Sequence, residues 1–386
     1  MNTRRQRFRA AIVGISGYGQ IHLQLANEWV AKGQLELAAA AVINPSEVAE
    51  SVVALEKAGT RLYPSFEEMI AGEAGRIDLC LVPTGIAWHA RMTIAALKAG
   101  MNVLVEKPLA SSLEEVDAVA AEAAQARRFV AVGFQDIYNP SVQRLKEQLL
   151  AGMLGRLQSV RFLGLWPRPP SYFTRNSWAG RVAVDGVPVL DSPLNNAFAH
   201  FVNLALFFPG ESFADSAVVD QIQAGLWRTN AIEMFDTAVI SATTVSGVKL
   251  WLGVSHACVQ TREPEIQVQG ERGRLIWRHE DEYILEVDGR EPVHTALPTA
   301  EDARRMMMQA VMDRLAGEPA FLCGVPIARK HTELITRLHR STTVLPLPGE
   351  LCQMAEPAKG GTVLAVPGIE SMLLSAFAEG SMPVLG

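Results

Sequence analysis

Between residues 9 and 134, short and almost wholly apolar runs alternate with stretches of helical length, and few folds accept that alternation. The runs cover 9–13, 37–43, 77–82, 102–105 and 129–134. The helical patterns cover 19–31, a short stretch opened by Ser65 with Glu68, then 89–98, and finally a stretch through 126 opened by Ser112 with Glu115. Ser followed three residues later by Glu is a capping-box signature. Strands alternating with helices imply βαβ units with right-handed crossovers, and strands apolar on both faces belong to a parallel sheet covered on both sides. The spacing predicts a doubly wound Rossmann domain over residues 1–134.

Beyond residue 134 the pattern changes. A helix at 141–151 and a strand at 157–165 lead into a Pro- and aromatic-rich loop at 166–178, followed by a helix at 195–208. Strand-like runs then follow at 218–226, 237–244, 248–256, 265–268, 274–277 and 283–287, joined by short turns such as Ser246-Gly247. This predicts an α+β domain over 135–386 with a large, mostly antiparallel open sheet. Helices at 301–316 and 327–342 close it, and an extension at 346–386 carries one helical stretch, 368–379. A sheet face without helices would be buried between copies, so a homodimer or homotetramer through the open sheet is expected.

Length and composition bound the function. A chain of 386 residues suits two domains, and 35 basic against 41 acidic residues, net −6, argue against nucleic acid or an anionic membrane as partner. Cys80, Cys258, Cys323 and Cys352 form no CxxC pair and no metal-like spacing, so no metal site and a reduced, cytoplasmic compartment are expected. Arg4-Arg5 faintly resembles an export signal, but the apolar stretch that follows, 10–15, is too short and is needed as a strand. No run approaches the ~18 apolar residues of a membrane span.

The run Ala11-Ile12-Val13-Gly14-Ile15-Ser16-Gly17-Tyr18-Gly19 lies between the first strand and first helix, where a Rossmann fold binds pyrophosphate on a helix N-terminus. Gly14 and Gly19 fit the first and third glycines of GxGxxG; Ser16, with Gly17 beside it, replaces the second. Where the second strand usually ends in an acid, this chain has Asn44-Pro45-Ser46. Asn44 can bond a ribose without repelling a 2′-phosphate and Ser46 could donate to one, so NADP is allowed. The lack of a nearby arginine tilts the choice to NAD.

The glycine turn followed by His22, then Pro83-Thr84-Gly85-Ile86-Ala87-Trp88-His89, then Glu106-Lys107-Pro108, resembles the Gfo/Idh/MocA oxidoreductases. The resemblance runs on through Gly133-Phe134-Gln135 and Asn139-Pro140. It implies an enzyme acting with NAD(P) on sugars, inositols or related polyols, with Lys107 catalytic and a later helix supplying a second catalytic group. It also suggests a cis bond before Pro108. Physically, Lys107 directly follows a strand, at the carboxyl end of a parallel sheet where ligands bind, and a lysine partly desolvated there can accept a hydroxyl proton. His89 matches a family position near the cofactor and reads as structural; Gln135 is expected near the nicotinamide end.

Family members commonly carry Asp-x-x-x-His on the second catalytic helix. Here Asn196 and His200 occupy that register, i and i+4 on the expected helix, with Asn where Asp is usual; Asp191, just upstream, is the other source of a carboxylate. Trp166, Arg168, Tyr172, Arg175, Asn176 and Trp178 form a loop suited to wall a sugar pocket. Arg228, Asn230, Glu233 and Asp236 are open between substrate contacts and a structural network. His256, His279, His294, His331 and His339 have no ligand spacing. Two alternatives share the site: a redox-assisted glycosidase or lyase with the cofactor regenerated each turn, and a cofactor-sensing binding protein that has lost catalysis, suggested by Ser16, Asn44 and Asn196.

Overall fold

The computed structural model describes residues 7–383 and 385, so the Arg4-Arg5 pair lies outside the described residues. The chain groups into two compact units, one running to Tyr138 and including Glu301–Ala328, the other comprising Asn139–Ala300 and the residues from Arg329 onward.

The first unit alternates strand and helix as expected: β1 (Phe8–Val13), α1 (Gly19–Ala31), β2 (Leu35–Ala41), α2 (Ala49–Lys57), β3 (Arg61–Tyr63), α3 (Phe66–Glu73), β4 (Leu79–Val82), α4 (Ile86–Lys98), β5 (Asn102–Val105), α5 (Leu113–Ala126) and β6 (Val130–Val132). The strands are parallel in the order β3-β2-β1-β4-β5-β6. Strand order therefore reverses between β1 and β4, and the carboxyl ends there open the crevice in which such sheets bind ligands. Both serines cap their helices: Ser65 Oγ accepts from Glu68 N and Ser112 Oγ from Glu115 N, each at 3.2 Å. β2 begins and ends two residues earlier than its apolar run, because Val42 continues the run past the ladder, and β3 carries no apolar run of its own.

The second unit is built on α6 (Pro140–Leu150), β7 (Leu157–Leu165), the hairpin β8 (Ala183–Val184) and β9 (Val187–Pro188), α7 (Ala199–Phe207), β10 (Val219–Arg228), β11 (Thr237–Thr244), β12 (Lys249–Ser255), β13 (Arg262–Gly270), β14 (Gly273–Arg278), β15 (Glu282–Val287) and β16 (Val293–Ala296). After α8 (Ala300–Leu315) and α9 (Val325–Ser341) come β17 (Val344–Pro346), β18 (Gln353–Ala355), β19 (Val363–Ala365) and α10 (Ile369–Glu379). The nine-stranded sheet runs β16-β15-β14-β13-β7-β12-β11-β10-β17, antiparallel except for the β7–β12 and β10–β17 pairs. α7 is buried nearly all round, only His200 being partly exposed, and Phe201 meets Phe162 and Trp277 at ring separations of 5.9 Å.

Three expectations change. Residues 301–328 group with the first unit rather than the second, tied there by Arg305 on Glu28 at 3.0 Å and by Val132 N donating to Cys323 O at 2.8 Å. The helix expected over 195–208 begins only at Ala199, because Asn195 and Asn196 donate their peptide N–H to Ser192 O and Phe198 donates to Pro193 O, a run of turns that Pro193 opens. The second sheet face does have a helix: α10 packs on β7 and β12, and Ile369, Leu373, Ala376 and Phe377 bury against Leu163, Leu165, Trp227, Val239 and Trp251.

Candidate active site

Four sequence motifs meet at the carboxyl edge of the parallel sheet. After β1 the chain turns through Gly14, whose φ of +81° favours glycine, and enters α1 at Gly19. A Cβ on Gly19 would lie 2.5 Å from Gly14 O and 3.8 Å from Pro83 Cγ, so the turn and the loop after β4 pack too closely for any side chain there. Ser16, Gly17 and Tyr18 are exposed, and no side chain caps the N-terminus of α1. The N–H groups of Gly19, Gln20 and Ile21 donate to Ser16 O, Gly17 O and Tyr18 O, so what the turn offers a phosphate is the exposed backbone of residues 16–18 at the positive end of the helix. Thr84 Oγ1, at the end of β4, is buried without a hydrogen-bond partner. A tight, uncapped glycine turn beside an orphaned hydroxyl fits a dinucleotide.

Lys107 is half-buried after β5 and is joined to Pro108 by a cis peptide bond. Its peptide N–H donates to Glu106 Oε2 at 3.1 Å, while Glu106 Oε1 lies 2.8 Å from His22 Nε2 of α1. Glu106 is 5% exposed, and a Cβ on Gly133 would come within 2.7 Å of its carboxylate. The glutamate is therefore turned inward, bracing the lysine's backbone. His89, in α4, sets Nδ1 2.6 Å from Pro108 O and Nε2 2.8 Å from Thr84 O. It ties the loop after β4 to the turn after β5, and its burial lowers its pKa. Gln135 is buried just after β6, whereas Asn44 and Ser46 are exposed after β2, with Asn44 Nδ2 donating to Glu47 Oε1 at 3.0 Å.

A second group gathers around the start of α7. Asp191 is buried, its Oδ2 accepting from Gly180 N at 2.7 Å and its Oδ1 from Asn196 Nδ2 at 2.8 Å. Asn196 sits in the turns before α7, so it shares no helix face with His200, which is in the first turn; its amide serves the aspartate instead. Trp166 stacks on Phe198 at 4.6 Å and donates from Nε1 to Glu263 at 2.9 Å. Tyr172 meets His256 edge-on at 5.8 Å, Arg168 lies over Trp166 and Tyr172, and Arg175 lies over Tyr172 and Trp178. Asn176 Oδ1 accepts from the peptide N–H groups of Trp178 and Ala179, shaping the loop.

Comparison with known proteins identifies the family of both parts of the chain. Residues 8–134 match the oxidoreductase family with an NAD-binding Rossmann fold, and residues 142–276 match the Gfo/Idh/MocA C-terminal domain. The chain belongs to the Gfo/Idh/MocA family. It is 29% identical to the rhizopine catabolism protein MocA of Rhizobium meliloti over 48% of this chain and 56% of that protein, so it spans little more than half of that relative. It is 25% identical to inositol 2-dehydrogenase 3 of Saccharopolyspora erythraea over 80% of each chain. Among solved structures, the WlbA dehydrogenase of Bordetella pertussis, in complex with NADH and UDP-GlcNAcA, superposes with a TM-score of 0.70 at 22% identity, covering 87% of this chain and 96% of that one.

Within this family member, the cluster of Arg228, Asn230, Glu233 and Asp236 is structural. Asp236 is fully buried and accepts from Thr229 N, Asn230 N and Asn230 Nδ2, Arg228 donates to Ile232 O, and Glu233 pairs with Arg181. His331 bonds Leu194 O, His294 pairs with Glu282, and no metal-holding cluster occurs among the described residues. Sequence reasoning missed two residues. His22 three positions after Gly19 signalled a motif but not its bond to Glu106, and nothing local marked His256.

Two expectations follow from this geometry. Gly19→Ala should weaken NADH binding ~10-fold or more without unfolding the protein, because either the pyrophosphate turn or α1 must shift; calorimetric titration giving an unchanged Kd would refute the cradle. His256, stacked on Phe198 and with Nδ1 2.8 Å from Trp166 O, is held neutral: burial, then the Arg168 charge, lower its pKa to about 3. The unfolded chain protonates this residue near pH ~6.5 and the folded one does not, so stability is full above that pH and falls as pH drops toward 3. The slope due to this residue is up to ~1.4 kcal/mol per pH unit, and denaturant melts of His256→Gln should be flatter between pH 6.5 and 4.5.

Proposed function

We propose that the protein is an NAD(P)-dependent dehydrogenase that moves hydride between the cofactor and a hydroxyl-bearing carbon of a sugar, sugar acid, cyclitol or sugar derivative. The observation that carries this reading is Lys107, fixed after β5 by Glu106 and His89, on the same sheet edge as the glycine turn and the Thr84 hydroxyl. When bound, the nicotinamide supplies the hydride acceptor. The substrate's hydroxyl loses its proton as its carbon gives up hydride, and Lys107 in its neutral form takes that proton. His200 is the second proton-transfer group of the reading, with Asp191 orienting its imidazole. Asn196 and Gly180 hold that carboxylate in place. Asn196 thus acts on the aspartate rather than replacing it. Asn44 and Ser46 face the adenosine ribose; no arginine lies at 42–48, and the Glu47 carboxylate beside Asn44 opposes a 2′-phosphate, which favours NAD.

The inositol dehydrogenase relative and the sugar-nucleotide complex of the structural neighbour support a polyol substrate. The test is a panel of polyols, sugar acids and sugar nucleotides with NAD or NADP, read by nicotinamide absorbance. Net cofactor reduction on at least one of them is expected. Bond cleavage with no net absorbance change would favour the redox-assisted glycosidase or lyase, and failure of both cofactors to bind would sink the reading.

A further inference from the structure

We propose that the substrate carries an anionic oxygen group, a carboxylate or a phosphate, gripped by Arg168 and Arg175; this rests on the dehydrogenase reading above. The two arginines are interleaved with three aromatic rings along the loop after β7. The Arg168 guanidinium is centred 5.5 Å from the Trp166 ring and 5.1 Å from the Tyr172 ring, and that of Arg175 3.8 Å from Tyr172 and 5.1 Å from Trp178. Stacking on aromatic faces holds a guanidinium's planar fork of donors in a defined orientation, which suits it to carboxylate or phosphate oxygens.

Neither guanidinium has a carboxylate within ion-pairing distance among the described residues, although nearby arginines of the same unit do: Arg181 with Glu233, Arg262 with Glu265, Arg274 with Glu286. Arg168 Nε is buried with no hydrogen-bond partner; elsewhere on the same side chain Nη1 donates to Pro167 O at 3.4 Å and the guanidinium bonds the Tyr172 hydroxyl. A desolvated, charged donor left unmatched is costly in a folded protein, and a ligand anion would satisfy it. His256, the imidazole nearest this pair, is neutral and adds no third charge. The position is also right. Trp166 and His256 both stack on Phe198 immediately before α7, and Tyr172 lies within electrostatic reach of Asp191. A sugar ring lying along the loop would present its hydroxyls to the Asp191–Asn196 end and its anionic group to the arginines. A neutral cyclitol would leave both cations unanswered.

The experiment titrates the NADH-loaded protein by calorimetry with D-glucose, D-glucuronate and D-glucose 1-phosphate, in the wild type and in Arg168→Gln, Arg168→Lys and Arg175→Gln. At least one anionic sugar should bind about tenfold or more tightly than glucose. Which one does so separates a carboxylate from a phosphate. That preference should vanish in Arg168→Gln, weaken in Arg175→Gln and return in part in Arg168→Lys, with NADH affinity unchanged throughout. Equal binding of charged and neutral sugars, no binding of either anion, or a preference that survives both glutamine variants overturns the proposal. Loss of NADH binding by the wild type would instead strike the dehydrogenase reading.

Discussion

Lys107→Met should lower kcat about 10²–10⁴-fold, the range for a positioned acid–base group, while leaving NADH affinity and the folded state intact. The two effects separate because the backbone on either side of the amine is held by other residues. Its peptide N–H is held by Glu106, Glu106 by His22, and the Pro108 carbonyl by His89. Methionine preserves the stem and removes only the amine. Lys107→Arg then distinguishes two roles. Arginine keeps the positive charge but does not deprotonate in proteins, so an electrostatic role would be largely rescued and a proton-transfer role would not. A methionine variant keeping more than about a tenth of wild-type turnover would remove Lys107 from the chemistry.

The Rossmann half was legible because its signals are local. Period, glycine turn and capping serines each act over a few residues, and the strand order follows once every crossover is right-handed. Lys107 was legible for the same reason, since one strand end and the proline after it define its place. What escaped the sequence was long-range pairing. Asn196 keeps the helical spacing to His200, yet the Pro193 turns delay the helix and send its amide to Asp191, a choice made by Gly180 and Ser192 rather than by spacing. Glu106 reads as a cofactor-binding member of the Glu-Lys-Pro motif, and its inward turn shows only when His22 and Gly133 are brought against it. The return of residues 301–328 to the first unit depends on Arg305 finding Glu28, a partner 277 positions away.

Removing α10 should drive association beyond that of the intact protein. The outer sheet face divides into two regions. Ser159, Arg161, Ser241, Thr243, Lys249 and Gln269 share a face by register and tolerate water. Farther along the same strands, Leu163, Leu165, Trp227, Val239 and Trp251 form an apolar surface. The two indoles lie flat across the strands, which is possible only because Gly225 and Gly253 stand beneath them; a Cβ at either glycine would fall within 2.3 Å of the ring. α10 covers this surface with Ile369, Leu373, Ala376 and Phe377, spaced to fall on one helix face. It is fixed at both ends. Glu370 accepts from Val259 N at 2.6 Å near its start, and at its end Arg161 donates to Phe377 O at 3.0 Å while Trp251 Nε1 donates to Ser381 O at 2.7 Å. Each large apolar side chain withdrawn from water contributes roughly 1.5–3 kcal/mol, so truncation after Gly361 or the pair Leu373→Asp with Phe377→Asp forfeits several such contributions at once. It also uncovers a contiguous apolar patch of the kind that drives association. Light scattering should report a larger particle for the truncated chain than for the intact one, with a lower thermal midpoint. Because the double substitution leaves chain length and backbone bonds in place, it should reproduce the shift if apolar cover is the cause. If both variants keep the wild-type size and midpoint, α10 rests on the sheet without stabilising it, and the apolar surface must be covered in another way.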